Sequence, residues 1–151
     1  MLACQLRSPS LKENGFDATG KRRLRSGSTR TSFTMNQRSN SVRNLLALSQ
    51  PVKEQRKNWL LDEVNENCLR MAVMTGEFPW HHHPGSAELF IVLEGRLHID
   101  LADGITVTLD PFDMYTVPAG IVHRTRADVR TVNLCFEHSQ ADTVFVEHLS
   151  K

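Results

Sequence analysis

The densest chemistry in the sequence stands at residues 80–88, Trp80-His81-His82-His83-Pro84-Gly85-Ser86-Ala87-Glu88. In a strand, side chains two apart point the same way, with Cα atoms about 6.6 Å apart. His81 and His83 can therefore face one cation, through bonds near ~2.1 Å, while His82 points to the opposite face. Pro84 to Ser86 supply a turn, so Glu88 can open the next strand and bring a carboxylate back to the same point. A fourth ligand must come from elsewhere in the chain. His123 is the best candidate, because Pro118-Ala119-Gly120 turns the chain just before it. Three imidazoles and one carboxylate suit a divalent transition metal (Fe, Mn, Ni, Zn, Co or Cu) and do not choose among these. Six-coordinate geometry leaves two positions for water, substrate or dioxygen.

Such a site needs elements to hold it, and the pattern around it is β. Residues 59–64 and 68–75 flank the polar turn Asn65-Glu66-Asn67, and residues 78–83 follow Gly76. Residues 88–94 are nearly continuous apolar positions, as in a strand covered on both faces. Residues 96–101 alternate, with Leu97, Ile99 and Leu101 on one face and Arg96, His98 and Asp100 on a solvent face. After the Asp103-Gly104 turn come strands at 105–109, 114–117, 123–126, 129–137 and 143–148. Ahead of them, Ser41 is expected to cap a short helix carrying Val42, Leu45, Leu46 and Leu48 on one side, ended by Pro51. Short strands separated by tight turns predict an all-β jelly-roll barrel at 59–151, preceded by a short helix and connector at 35–58.

Composition limits the possibilities further. Hydrophobic residues make up 40% and charged residues 23% of 151 residues, as in an ordinary single globular domain. No apolar run is long enough to cross a membrane as a helix. Three scattered cysteines without a CxxC do not make a disulfide framework, so a reducing, cytoplasmic setting is expected. The net charge of +1 conceals an asymmetry: residues 1–58 hold 12 basic and 3 acidic residues, residues 59–151 hold 6 and 14. An acidic barrel is a poor surface for nucleic acid. Residues 1–34 carry 7 basic and 2 acidic side chains and little apolar material, which predicts a disordered basic extension. A transit peptide, an anion-binding tail, or a start misassigned upstream of Met35 are the alternatives for that segment.

The stretch Gly76…His81-His82-His83…Glu88…Gly95 resembles the first motif of the cupins, and Pro118-Ala119-Gly120-Ile121-Val122-His123 resembles the second. The resemblance spans residues 40–149 and is closest to small single-domain, RmlC-like bacterial cupins of the mannose-6-phosphate isomerase-like kind. It implies a double-stranded β-helix with His81, His83, Glu88 and His123 as metal ligands. Three positions differ from the pattern. Four residues rather than five separate Gly76 from His81. Phe112 lies in the stretch where a glycine is expected before the second motif. Ala127 replaces an asparagine after it. These differences touch turns and leave all four ligand types in place.

Beside the ligands, Tyr115 and Arg70 are candidate substrate contacts, and Arg124 is a further cation that could clamp an anion. Cys68 and Cys135 are expected to be buried small hydrophobes. The expected activity is that of a small metal-dependent enzyme, of oxygenase or isomerase type, on a small polar molecule. A non-catalytic metal- or ligand-binding module is the alternative. A homodimer is expected, formed through the 45–48 segment and the strand from Trp59. Deleting residues 1–34 should leave melting temperature and metal content unchanged at physiological salt. A drop of several degrees, or loss of metal, would make the extension part of the domain.

Overall fold

A computed structural model describes residues 41–147. The basic extension at 1–34 lies outside the described residues, as do 35–40 and 148–151. Alternating apolar and polar side chains make strands the dominant structure among the described residues, with one short helix ahead of them. In chain order the elements are α1 (Leu45–Ser49), β1 (Arg56–Val64), β2 (Asn67–Glu77), β3 (His81–His82), β4 (Glu88–Glu94), β5 (Leu97–Leu101), β6 (Thr106–Leu109), β7 (Met114–Val117), β8 (His123–His138) and β9 (Val144–Phe145).

β8 organises the barrel. Along one edge it pairs with β2, from Asn67 opposite His138 to Glu77 opposite Arg126, and then with β3, where His81 faces His123. Along the other edge it pairs with β4 and then β5, ending with Leu101 opposite His123. β1 extends β2, β6 extends β5, β7 extends β4 and β9 extends β3, all antiparallel. The result is a curled jelly-roll sheet.

The sequence reading divided this strand at 126–129, but the structure has one strand of 16 residues. The chain bends there without breaking. Asp128 and Val129 stand exposed, and the partner registers shift between Met74 and Gly76 and between Val92 and Glu94. Such offsets bend a strand while its pairing continues. Gly95 is required at this corner: a Cβ there would lie 2.5 Å from Thr131 Oγ1 and 2.6 Å from the Arg130 carbonyl oxygen.

Inside the barrel, Met74, Phe90, Val92, Leu97, Ile99, Leu109, Val117, Ala127 and Cys135 form one buried cluster. A second cluster joins Met71, Val73, Val132 and Leu134, on the alternate positions of β2 and β8, with Val52 from the segment before β1. Leu45, Trp59, Leu61 and Ile91 pack against it. β4 is thus covered on both faces, Phe90 and Val92 in the first cluster and Ile91 and Leu93 against the second. Each fully buried side chain of this size contributes roughly 1.5–3 kcal/mol.

Three expectations are corrected. The helix cap is Asn44, whose side chain accepts from the Ala47 N–H at 2.9 Å; Ser41 lies three residues too early, and Val42 is exposed. β1 begins at Arg56, inside the segment read as connector. Asp100 is not on a solvent face. It is buried to 9% exposure beneath Arg124 and Arg126, whose Nε atoms each donate to Oδ2 at 3.0 Å, while Thr106 donates to Oδ1. Burial raises the Asp100 pKa, but these donors outweigh it and hold the carboxyl below its ordinary value.

Phe112, in the stretch where a glycine is expected, has φ 75° and is 83% exposed, and its N–H donates to the Val92 carbonyl at 2.8 Å. A bulky residue in the left-handed region carries about 1–3 kcal/mol of strain. Glycine removes that strain against an entropic cost of about 0.5–1 kcal/mol. Phe112→Gly should therefore raise the melting temperature by a few degrees, and Phe112→Ala should not. Calorimetry showing a lower melting temperature for the glycine variant would mean the strain is absent.

Candidate metal centre

The segment carrying His81 and His83 is short because it is punctuated by Pro79 and Pro84, which lack the N–H a ladder needs. Its place is fixed from both sides. His81 pairs with His123 on β8 and with Phe145 on β9, and the Val146 N–H donates to the Trp80 carbonyl at 2.9 Å. The Gly120 N–H donates to the His83 carbonyl at 2.8 Å, which ties the turn before His123 to the histidine run. Glu88, the first residue of β4, pairs with Val117, the last of β7, and the turn at 118–122 carries the chain from there to His123, the first residue of β8.

These elements bring His81, His83, Glu88 and His123, all buried, to one point, with one ligand atom from each within 4.8 Å of the others. The three imidazoles share one arrangement. Nδ1 of His81 donates to the Pro79 carbonyl at 2.9 Å, that of His83 to the Asp142 carbonyl at 2.9 Å, and that of His123 to the Ile121 carbonyl at 3.0 Å. A carbonyl oxygen only accepts, so each neutral ring carries its proton on Nδ1 and presents an Nε2 lone pair. Nε2 of His123 and of His83 lie 3.1 and 3.2 Å from Glu88 Oε2. His83 Nε2, although this close, has no aligned hydrogen-bond partner. Lone pairs facing a carboxylate repel unless a proton or a cation stands among them. The donor set therefore fits a divalent metal, with the carbonyls as the outer partners that orient metal-ligating histidines.

The electrostatics follow from burial and contact. Burial alone pushes the Glu88 carboxyl up, but the imidazoles of His123 and His83 and the Cys135 thiol beside it together hold it well below the usual carboxylate range. Contact with Glu88 raises His83, whereas burial lowers His81. Burial pushes the Cys135 thiol well up, so it remains a thiol and donates to Glu88 Oε1 at 2.8 Å. Burial, then the Glu88 charge, raises Glu137, whose Oε2 lies 3.8 Å from His83 Nδ1 without a hydrogen-bond partner.

A cavity of about 360 Å³ opens beside these ligands; His81, His83 and Glu88 line it together with Arg56, Asn58 and Arg70. Of the two candidate substrate contacts, Arg70 lines the cavity. Tyr115 does not, and packs against the inner apolar cluster. Arg124 is engaged by Asp100 and Glu77 and lies over the Trp80 ring. His82 is outside the convergent set and half-buried. Cys68 and Cys135 are buried and free.

The sequence reading singles out neither Asn133 nor Glu137 and marks Cys135 only as a buried small hydrophobe, although all three line the cavity. Their signal was present: they are alternate positions of one strand, polar where the neighbouring strands turn apolar side chains inward. The Asp142, Pro79 and Ile121 carbonyls had no such signal, because backbone groups carry no residue type.

Residues 69–135 match the family described as Cupin domain. The chain is 57% identical over 106 residues to Uncharacterized protein YdbB of Bacillus subtilis (strain 168), covering 70% of this chain and 94% of that protein. Among solved structures it is similar to a cupin-2 domain containing protein from Shewanella frigidimarina NCIMB 400. There the identity is 29% and the TM-score 0.61, over 64% of this chain and 94% of that one. The DMSP lyase DddQ from Ruegeria pomeroyi DSS-3 shares the fold at 20% identity and TM-score 0.55, over 64% of this chain and 54% of that one.

Proposed function

This chain belongs to the cupin family, and we propose that it holds one divalent transition metal on His81, His83, Glu88 and His123 and acts as an enzyme on a small polar molecule bound beside it. The observation that carries the reading is the pinning of all three Nδ1 atoms by backbone carbonyls, which leaves three Nε2 lone pairs unprotonated in a cluster that includes one buried carboxylate. A bound metal supplies a Lewis acid, or a site for dioxygen, at its open positions.

The chain's own residues supply the rest. The Cys135 thiol orients Glu88 by donating to the oxygen that does not face the imidazoles. Glu137 places a half-buried carboxyl in the same cavity with Oε2 unpartnered, a group able to hold a proton next to a bound molecule. That carboxyl favours an oxygenase- or isomerase-type activity over a module that only binds. Met74 and Phe90 line the same space and exclude water from part of it. A cytoplasmic setting agrees with two buried, unpaired cysteines.

Protein purified without a histidine tag should carry about one metal per chain by elemental analysis. His83→Ala and His123→Ala should each lose most of it, and His82→Ala should keep it. Equal loss in His82→Ala and His83→Ala would overturn the ligand assignment. Pairing of two chains across Trp59, Leu61 and Leu69, which are only partly buried against the outer cluster, belongs to the same reading. Light scattering should give twice the chain mass, and a monomer at tens of micromolar would remove that part.

A further inference from the structure

We infer that the cavity beside the metal centre takes a small carboxylic acid bearing a hydroxyl or amino group, its carboxylate on Arg70 and its donor group on Asn133 Oδ1. The inference rests on the metal-binding reading and adds the substrate class to it.

The charge inventory singles out Arg70. Among the described residues, Arg43, Arg96, Arg124, Arg126 and Arg130 each lie within ion-pair distance of a carboxylate. Arg56 and Arg70 do not, and both line the cavity. Arg56 is exposed, stacks over the Phe78 ring at 5.3 Å and donates to the Glu77 carbonyl. Arg70 is half-buried. Its Nε donates to Asn58 Oδ1 at 2.9 Å, which fixes the guanidinium plane, and the Cys68 thiol and, beyond ion-pair distance, the Glu137 carboxyl are neighbours. Its natural internal partner would be Glu137, which stands on the same face, but that carboxyl turns Oε2 toward His83. A guanidinium held in place without a carboxylate is a fork for a planar anion.

Asn133 is the independent second observation. It is 2% exposed, lines the cavity and leaves Oδ1 without a hydrogen-bond partner. A buried amide oxygen left unpaired is costly, so the position calls for an O–H or N–H donor. Cys135 pairs with Arg70 and Asn133 with Ala72, one step along the same face. Two strand residues span about 6.6 Å, the length of a short acid. A carboxylate suits the site better than a phosphate. The Glu88 and Glu137 carboxyls share the cavity with Arg56 and Arg70, and Arg56 stands exposed over the Phe78 ring, so a monoanion seated on Arg70 meets less repulsion from the two carboxyls than a dianion.

The test uses the full chain loaded with Co²⁺. Glycolate, lactate and alanine are each titrated against the corresponding amide by calorimetry, with the cobalt spectrum followed in parallel. At least one acid should bind about tenfold or more tightly than its amide, as expected for a charge-assisted contact. Arg70→Gln should erase that preference while leaving cobalt affinity unchanged, Arg70→Lys should retain part of it, and Arg96→Gln should retain all of it. Asn133→Ala should narrow the gap between lactate and propionate. Equal binding of every acid and its amide, a preference that survives Arg70→Gln, or tighter binding of inorganic phosphate would each overturn the inference. Failure to bind cobalt would instead remove the metal reading, and the acid–amide comparison on metal-free protein would still decide the carboxylate site.

Discussion

The structure depends on keeping one carboxylate out of water. Glu88 is 8% exposed, and an ionised side chain in such a place costs several kcal/mol unless charge or hydrogen bonds compensate. Here the compensation is arranged in two layers. The Cys135 thiol donates to one carboxylate oxygen, and the Nε2 lone pairs of His83 and His123 stand beside the other, where a cation between them would balance the charge. Each imidazole is in turn held by a backbone carbonyl, so none can rotate away without leaving a buried N–H unpaired. A site built in this way is rigid before any ligand arrives. That rigidity lets four ligand atoms from three separate stretches of chain meet within 4.8 Å.

Rigidity at that point requires a common support, and β8 provides it. One strand is hydrogen-bonded on one edge to β2 and β3 and on the other to β4 and β5. His123 at its start and Asn133, Cys135 and Glu137 near its end therefore belong to a single continuous ladder. The bend between them, opposite Gly76 and Gly95, carries the strand from one part of the curled sheet to the other. The apolar cluster of Phe90, Val92, Leu97 and Ile99 fills the space behind. It lowers the local dielectric and strengthens every polar contact at the site.

Much of this was legible in the sequence, for identifiable reasons. β4 at Glu88–Glu94 and β7 at Met114–Val117 have the limits read from alternation and turn residues, because half-buried strands leave a period of two. The convergence of His81 with His83 follows from the same period. Asp128 hid the continuity of β8, since a charged residue in a strand pattern looks like an ending whereas here it is the outer side of a bend. Asp100 looked like a surface residue because its partners, Arg124 and Arg126, are 24 and 26 positions away. The left-handed backbone at Phe112 was hidden because the type that usually marks it is absent. Local pattern fixes which face a residue occupies, and only pairing across strands decides what meets it there.

The Asp100 cluster shows how the two faces of β8 serve one purpose. His123 and Thr125 are buried, while Arg124 and Arg126 are only partly buried and reach Asp100 on the neighbouring β5. Arg124 also reaches Glu77 at the end of β2 and covers the Trp80 ring just before His81. Isolated surface ion pairs contribute little, but this one links β2, β5 and β8 and the residue preceding the histidine run. The donors around Asp100 outweigh its desolvation, so the cluster holds the start of β8 between its neighbours. His123 lies one residue from Arg124 and inherits that restraint. The side chains on one face of the strand fix the frame in which those on the other can approach a buried carboxylate.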